Sequence, residues 1–147
     1  VEAGENLGFL PGDLKEKIAE LCDKLNGIKH LIIGNHDEVN YSDLANPNSF
    51  IYGKFKSVFS YKEIKLEDKI IVMCHYPFLT WNKSHHGSIH LFGHVHSNYN
   101  SNHPMREPSK NSYNVGADIN NYEPCELEEI IENNKVWKEN YPKKWGI

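Results

Sequence analysis

The stretch HLFGHVHSN, residues 90 to 98, places two histidines one residue apart at the end of an apolar run. Side chains at positions i and i+2 of a β-strand point to the same face, so His94 and His96 could together bind a metal ion. They could equally be two polar side chains on a solvent-exposed edge strand. The rest of the sequence has to distinguish these two interpretations.

Length and composition predict one globular domain covering residues 1 to 147, of which 39% are hydrophobic and 24% charged. The formal net charge of −4 gives no strong signal for binding to nucleic acid or to an anionic membrane. No apolar run approaches the ~18 residues of a membrane-spanning helix. Cys22, Cys74 and Cys125 form no C-x-x-C pair, and so indicate free thiols in a reducing, cytoplasmic compartment.

The first half of the chain predicts a helix followed by a strand. Apolar side chains recur at helical spacing between residues 13 and 26, with Asp13 at the position of an N-cap. Gly27 stands where a left-handed residue commonly ends a helix. The apolar run at residues 31 to 33 then ends at Gly34, and a helix followed by such a strand is half of an α/β unit.

The second half predicts a hairpin, two further strands and a helix. Residues 61 to 66 alternate, Glu67 and Asp68 form a turn, and the apolar run 69 to 74 returns as the second strand. We expect the remaining elements to be strands at 88 to 92 and 112 to 117 and an acidic helix from 126 to about 134, extending toward Trp137.

Polar residues that can bind metal follow three of these predicted strands. The motifs are GNHD (34 to 37), HYP (75 to 77) and GHVH (93 to 96). Open α/β sheets build their sites at the carboxyl ends of their strands. Each motif has a simpler reading by itself, since Asn, Asp and Gly prefer turns and a single H-x-H pair is more often exposed or structural. Their joint occurrence favours a metal site.

These three motifs, in this order, resemble those of the calcineurin-like metallophosphoesterase superfamily. KHLIIGNHD (29 to 37), WNKSHHGSIHLFGHVH (81 to 96) and NVGADINNY (114 to 122) are similar to its small bacterial and phage-type members. The resemblance runs from about residue 14 to 132 and implies a four-layer α/β sandwich of two mixed β-sheets flanked by helices. It also implies hydrolysis of phosphomonoesters or phosphodiesters, in which two divalent ions provide a hydroxide nucleophile and neutralise the phosphate oxygens.

The resemblance assigns four metal ligands. Asn35, His75 and His94 would bind one metal, and His96 would bind the other. Imidazole and amide oxygen suit Mn, Fe, Zn or Ni better than calcium. We expect two divalent ions of this group, with manganese as the first choice.

The resemblance also assigns residues to catalysis. His36 would stabilise the transition state or protonate the leaving oxygen. Asp37 would hold the ring of His36, with a purely structural role as the alternative. His85 and His86, in the loop between the second and third motifs, are candidates for contact with the substrate phosphate.

The chain departs from the family at its first two motifs. The family's D-x-H motif is absent, and the one G-D pair, Gly12 and Asp13, leads into the predicted helix. An N-cap role for Asp13 is therefore favoured over a bridging ligand. We expect a truncated sandwich that lacks a leading βαβ unit. Its exposed strand edge at 31 to 33 would be completed by a missing segment or by self-association, and the 147 residues alone would be weakly active or inactive.

Two other functions stay open for this sequence. The same fold could serve as a non-catalytic interaction module, or Asn35, His75 and His94 could hold a single structural metal. Two, zero or one equivalents of bound metal would distinguish the enzyme, the module and the structural domain. For the enzyme, the expected substrate is a small phosphoester or a nucleotide.

Overall fold

The computed structural model describes residues 12–37, 39–97 and 109–140. These residues form an α/β structure with one β-sheet of two strands and another of four. They divide into two compact units, an N-terminal unit that ends at Tyr61 and a C-terminal unit that begins at Lys62. None of the helices in the described ranges has the length and apolar character needed to cross a bilayer.

The described part of the N-terminal unit contains two helices and a parallel pair of strands. Its elements are helix α1 (Gly12–Lys24), strand β1 (His30–Ile32), a 3₁₀ helix (Tyr41–Ala45) and strand β2 (Ser57–Phe59). Leu31 lies opposite Val58 in the parallel ladder. Val39, Ile51 and Val58 form one buried hydrophobic cluster, against which Leu31 and Ile33 pack.

The sequence predicted α1 and β1 to within a few residues. Gly27 has the expected left-handed backbone, with a φ of 87°. The N-cap assignment of Asp13 is wrong, because the helix already includes Gly12 and Asp13 therefore lies within its first turn. Strand β2 was not predicted, because Val58 and Phe59 stand between polar residues and lead directly into the alternating residues of the next strand.

The C-terminal unit is built on the larger sheet. Its elements are β3 (Tyr61–Leu66), β4 (Lys69–Cys74), β5 (Ile89–Phe92), β6 (Ser112–Asn114) and helix α2 (Leu127–Asn140), with the strands in the spatial order β3-β4-β5-β6. The first residue of β3, Tyr61, is the last residue of the N-terminal unit. The hairpin, the two later strands and the terminal helix confirm the predicted elements. The hairpin strands have the predicted bounds, and α2 continues past Trp137.

Strands β4, β5 and β6 run parallel, which places their carboxyl ends at one edge of the sheet. Met73 of β4 lies opposite Leu91 of β5, and Phe92 of β5 lies opposite Asn114 of β6. The segments that follow these strands therefore begin side by side, and the amide of Gly93 donates a hydrogen bond to the carbonyl of His75 (2.9 Å). Two of the three sequence motifs, HYP and GHVH, meet at this edge.

Candidate metal centre

The nearest approach between candidate metal ligands joins His75 and His94. His75 Nε2 lies 3.2 Å from His94 Nδ1, and the two ring centroids are 5.1 Å apart. Both side chains are half-buried. The parallel register explains the pairing, because each histidine follows the last residues of a neighbouring strand.

The spacing of these two nitrogens fits a shared metal ion. Two nitrogens that each bind one ion at about 2.1 Å lie roughly 3.0 to 3.4 Å apart when the coordination angle is between octahedral and tetrahedral. The 3.2 Å separation falls inside this interval. A proton shared between two imidazoles would give the same distance, so the geometry allows both a hydrogen bond and a ligand pair.

Tyr76 completes an aromatic cluster around the pair. Its ring centroid lies 5.2 Å from that of His75 and 4.8 Å from that of His94, and both contacts are edge-to-face. The tyrosine nevertheless remains 46% exposed. It therefore restrains both imidazole rings while presenting a surface to solvent beside them.

The backbone of the GHVH segment adopts an uncommon conformation. His94 and His96 both have positive φ angles, 71° and 51°, a left-handed region that only a few per cent of non-glycine residues adopt, with Asn, Asp and His the most frequent among them. Each such residue costs about 1 to 2 kcal/mol relative to an ordinary conformation. Val95 between them is 8% exposed and packs with Phe92 and Trp137 in a hydrophobic cluster. The buried valine is one of the contacts that holds the two histidines in this conformation.

The GNHD motif forms a tight turn in the N-terminal unit. The backbone amide of Gly34 donates to Asp37 Oδ2 (2.7 Å), and the amide of Asp37 donates to the carbonyl of Gly34 (3.3 Å). Asn35 and His36 are exposed at the tip of this turn. Asp37 thus has a defined structural task in closing the turn, and its predicted contact with the ring of His36 stays a prediction.

His90 is a buried histidine that was not among the predicted site residues. It is 0% exposed, and its ring stacks on Phe78 with centroids 4.9 Å apart. Its Nδ1 lies 3.2 Å from the carbonyl oxygen of Val72, and its Nε2 accepts a hydrogen bond from the amide of Phe78 (3.2 Å). Burial lowers the pKa of this imidazole, although nearby backbone carbonyls oppose that shift. A neutral ring satisfies both contacts and fixes the loop that follows His75.

His85 and His86 lie together on an exposed short 3₁₀ helix (Ser84–His86). Their ring centroids are 4.2 Å apart. Left-handed residues, Lys83 and Gly87, flank the helix. The loop is closed at its base, where the Trp81 indole donates to the carbonyl of Ser88 (3.3 Å). Contact of the two histidines with a substrate stays a prediction.

Within residues 12–37, 39–97 and 109–140, no three His, Cys, Asp or Glu side chains come together as a group that could hold a metal ion. The structure thus brings together His75 and His94 of the four predicted ligands. His96 lies on the same segment as His94, and Asn35 belongs to the N-terminal unit. Cys22, Cys74 and Cys125 are free thiols, as the sequence predicted.

Comparison with known proteins adds relatives of unassigned activity. No family model matches the chain. The uncharacterized protein MJ1445 of Methanocaldococcus jannaschii is 29% identical over 124 residues, which cover 82% of this chain and 60% of that protein's length. The crystal structure of the protein of unknown function AQ665 from Aquifex aeolicus aligns with a TM-score of 0.54 at 21% identity, over 86% of this chain and 70% of that one. The structural match shows a shared fold.

Proposed function

We propose that this protein is a metal-dependent phosphoesterase with a dinuclear centre and the four-layer sandwich of the calcineurin-like metallophosphoesterases. The observation that carries the proposal is the 3.2 Å approach of His75 Nε2 to His94 Nδ1 at the carboxyl edge of parallel strands. The match to motif order supports it, because GNHD, a histidine after a strand, and GHVH recur here together. His94 stands in a left-handed conformation beside the imidazole of His75, and a backbone conformation that costs free energy is more often found at functional sites than in purely structural segments.

In this proposal Asn35, His75 and His94 hold one ion and His96 contributes to the second. When bound, two divalent ions such as Mn, Fe, Zn or Ni neutralise the phosphate oxygens and lower the pKa of water. Tyr76 restrains the His75 and His94 rings through its edge contacts.

The remaining site residues act on the substrate in this proposal. His36, exposed at its turn, holds the proton that the leaving oxygen takes up, and Asp37 keeps the turn closed through Gly34. His85 and His86 contact the phosphate of a small phosphoester or nucleotide. We further propose that the enzyme works in the cytoplasm. Turnover by these 147 residues alone is low in this proposal, because the D-x-H ligands of the family are not among them.

Metal analysis is the direct test. At saturating Mn²⁺ or Zn²⁺, two equivalents per chain would support the proposal, one would favour a structural metal domain, and none would favour an interaction module. His75→Ala and His94→Ala should each remove bound metal. His30→Ala is the matched control, since it deletes an exposed histidine on β1 outside the motifs and should leave metal content unchanged.

Hydrolysis distinguishes catalysis from metal storage. Turnover of bis-p-nitrophenyl phosphate and p-nitrophenyl phosphate should require the metal, and their ratio would give the preference for diesters or monoesters. His36→Ala should lower turnover about 10²- to 10⁴-fold, as expected for loss of a general acid, with metal content retained. Loss of metal in His36→Ala would contradict the role assigned to this residue.

A further inference from the structure

Both polar groups of the peptide bond between His96 and Ser97 form hydrogen bonds with side chains. Asn114 Nδ2 donates a hydrogen bond to the carbonyl oxygen of His96 (3.0 Å). Asp118 Oδ2 accepts one from the amide of Ser97 (2.6 Å). Because a peptide unit is planar, fixing its oxygen and its N–H fixes the orientation of the whole plane. We call these two contacts the peptide clamp.

Asn114 is itself held in one orientation. Its side-chain oxygen accepts the amide of Gly116 (2.9 Å), so its amide nitrogen must point toward His96. Its backbone N–H donates to Asn134 Oδ1 (2.6 Å), and its backbone carbonyl accepts from Asn134 Nδ2 (2.8 Å). The side chain of Asn134 thus pairs with the outer strand β6 as a neighbouring strand would. Asn114 and Asn134 are both 0% exposed.

The other half of the clamp is charge-assisted. A carboxylate that accepts a backbone N–H forms a shorter and stronger hydrogen bond than a neutral oxygen does, and the 2.6 Å contact at Ser97 is short. The second oxygen of Asp118 is shielded from solvent and has no hydrogen-bond partner among the described residues. Shielding one oxygen of a carboxylate without a partner costs free energy, which the short bond from Ser97 to the other oxygen helps to offset.

We propose that Asn114, Asp118 and Asn134 are positioning residues, which hold the left-handed backbone of the GHVH segment so that its imidazoles are aimed at a metal. The inference rests on the proposed function and extends it to the NVGADINNY stretch and helix α2, to which that function assigns no role. The left-handed conformation at His94 and His96 needs such support, because it is unfavourable for these residues by themselves.

The experiment combines a metal-independent and a metal-dependent readout on the 147-residue chain. Amide hydrogen exchange at Ser97, followed by NMR without metal, reports the clamp directly. Zinc affinity, measured by competition with a chromophoric chelator, reports the positioning of His75 and His94. The test variants are Asn114→Asp, which replaces the amide donor by a carboxylate, and Asp118→Ala.

Both test variants should loosen the His96–Ser97 peptide and lower zinc affinity. In each of them, hydrogen exchange at the Ser97 amide should be at least tenfold faster than in the wild type. Zinc affinity should fall about 10- to 100-fold, as is usual when a group that orients a ligand is removed. Asp118→Asn should recover most of both, because its amide oxygen can still accept the Ser97 N–H. Ile71→Val is the stability control, since it removes a buried methyl group in the middle of β4, four residues before His75, and should leave zinc affinity within threefold.

Failure of this inference and failure of the proposed function give different results. If the wild-type chain binds zinc but Asn114→Asp and Asp118→Ala bind it as tightly as Ile71→Val does, the positioning role is overturned and the proposed function stands. If the wild-type chain binds no zinc or manganese, the proposed function fails and the positioning role fails with it. Should Asn114→Asp fail to fold, Asp118→Ala and its rescue by Asp118→Asn decide the question.

Discussion

Acidification should destabilise the C-terminal unit through His90. The neutral ring donates from Nδ1 to the carbonyl of Val72 and accepts the amide of Phe78 at Nε2. Protonation would turn Nε2 into a donor, which leaves the Phe78 amide without its acceptor and places a charge among buried rings. The carbonyl of Tyr76, 3.2 Å from Nε2, can accept a hydrogen bond from the new N–H, which offsets only part of this cost.

The sign follows from the pKa of His90, which burial lowers below its ordinary 6.5. On acidification the unfolded chain takes up the proton first, so this contribution to stability is complete above pH 6.5 and falls as the pH decreases through the interval between the two pKa values. If His90 stays neutral in the folded state, one such proton lowers the free energy of unfolding by at most about 2 kcal/mol between pH 7 and pH 5.

Urea denaturation at pH 7, 6 and 5, with chelator present, would measure this effect. Fluorescence is a suitable signal, because Trp81 and Trp137 both lie in the C-terminal unit. His90→Asn removes the titrating group and should flatten the pH dependence by up to about 2 kcal/mol, besides lowering stability at pH 7. His86→Asn removes an exposed imidazole and should keep the wild-type pH dependence. If the wild type and His90→Asn have the same pH dependence of stability, protonation of His90 does not cause the loss of stability at low pH.

Three further substitutions test packing and backbone conformation by urea denaturation. Trp137→Ala should lower the free energy of unfolding by about 3 to 5 kcal/mol, because the Trp137 side chain is 3% exposed and packs with Phe92 and Val95. Val136→Ala is the control and should lower it by under about 1 kcal/mol, since Val136 is 59% exposed; equal losses would contradict the assigned packing. Glu67→Asn should stabilise the hairpin by about 0.5 to 1 kcal/mol, since Glu67 has a φ of 55° and Asn tolerates this region better; a loss of stability would count against that conformation. Gly27→Ala should destabilise by about 1 to 2 kcal/mol through its φ of 87° alone, because a Cβ there meets nothing within 4 Å, and a neutral result would mean that the backbone had relaxed.

The sequence predicted those parts of the structure that local signals specify. Strand β4 (Lys69–Cys74) has the predicted bounds because an apolar run between a turn and a proline leaves little freedom. The meeting of His75 and His94 followed from both lying after parallel strands. Strand β2 (Ser57–Phe59) was missed because its two apolar residues are not set apart by a turn from the alternating residues that follow, and the pairing with β1 that makes them a separate strand is a distant contact.

The parts that could not be predicted are polar groups whose burial depends on distant packing. Asn134 stands within the stretch ENNK of an acidic helix, where an asparagine is expected to face solvent, yet it is 0% exposed. His90 alternates along its strand as a surface residue would, and becomes buried only through the return of the loop that carries Phe78. In both cases the partner is a backbone group, and backbone groups leave no mark in a sequence.

Two residues of helix α2 support the GHVH segment, one by direct packing and the other through hydrogen bonds to Asn114. Asn134 and Trp137 are three positions apart and so share one face of the helix. Trp137 packs against Val95, the residue between His94 and His96. Asn134 accepts a hydrogen bond from the backbone of Asn114, whose side chain donates to the carbonyl of His96. If the segment binds metal as proposed, any free energy by which the packing of α2 favours the binding geometry must reappear as stabilisation of α2 by the bound metal, since coupling between two equilibria is reciprocal. The helix is thereby part of the candidate site, although none of its own side chains is a candidate ligand.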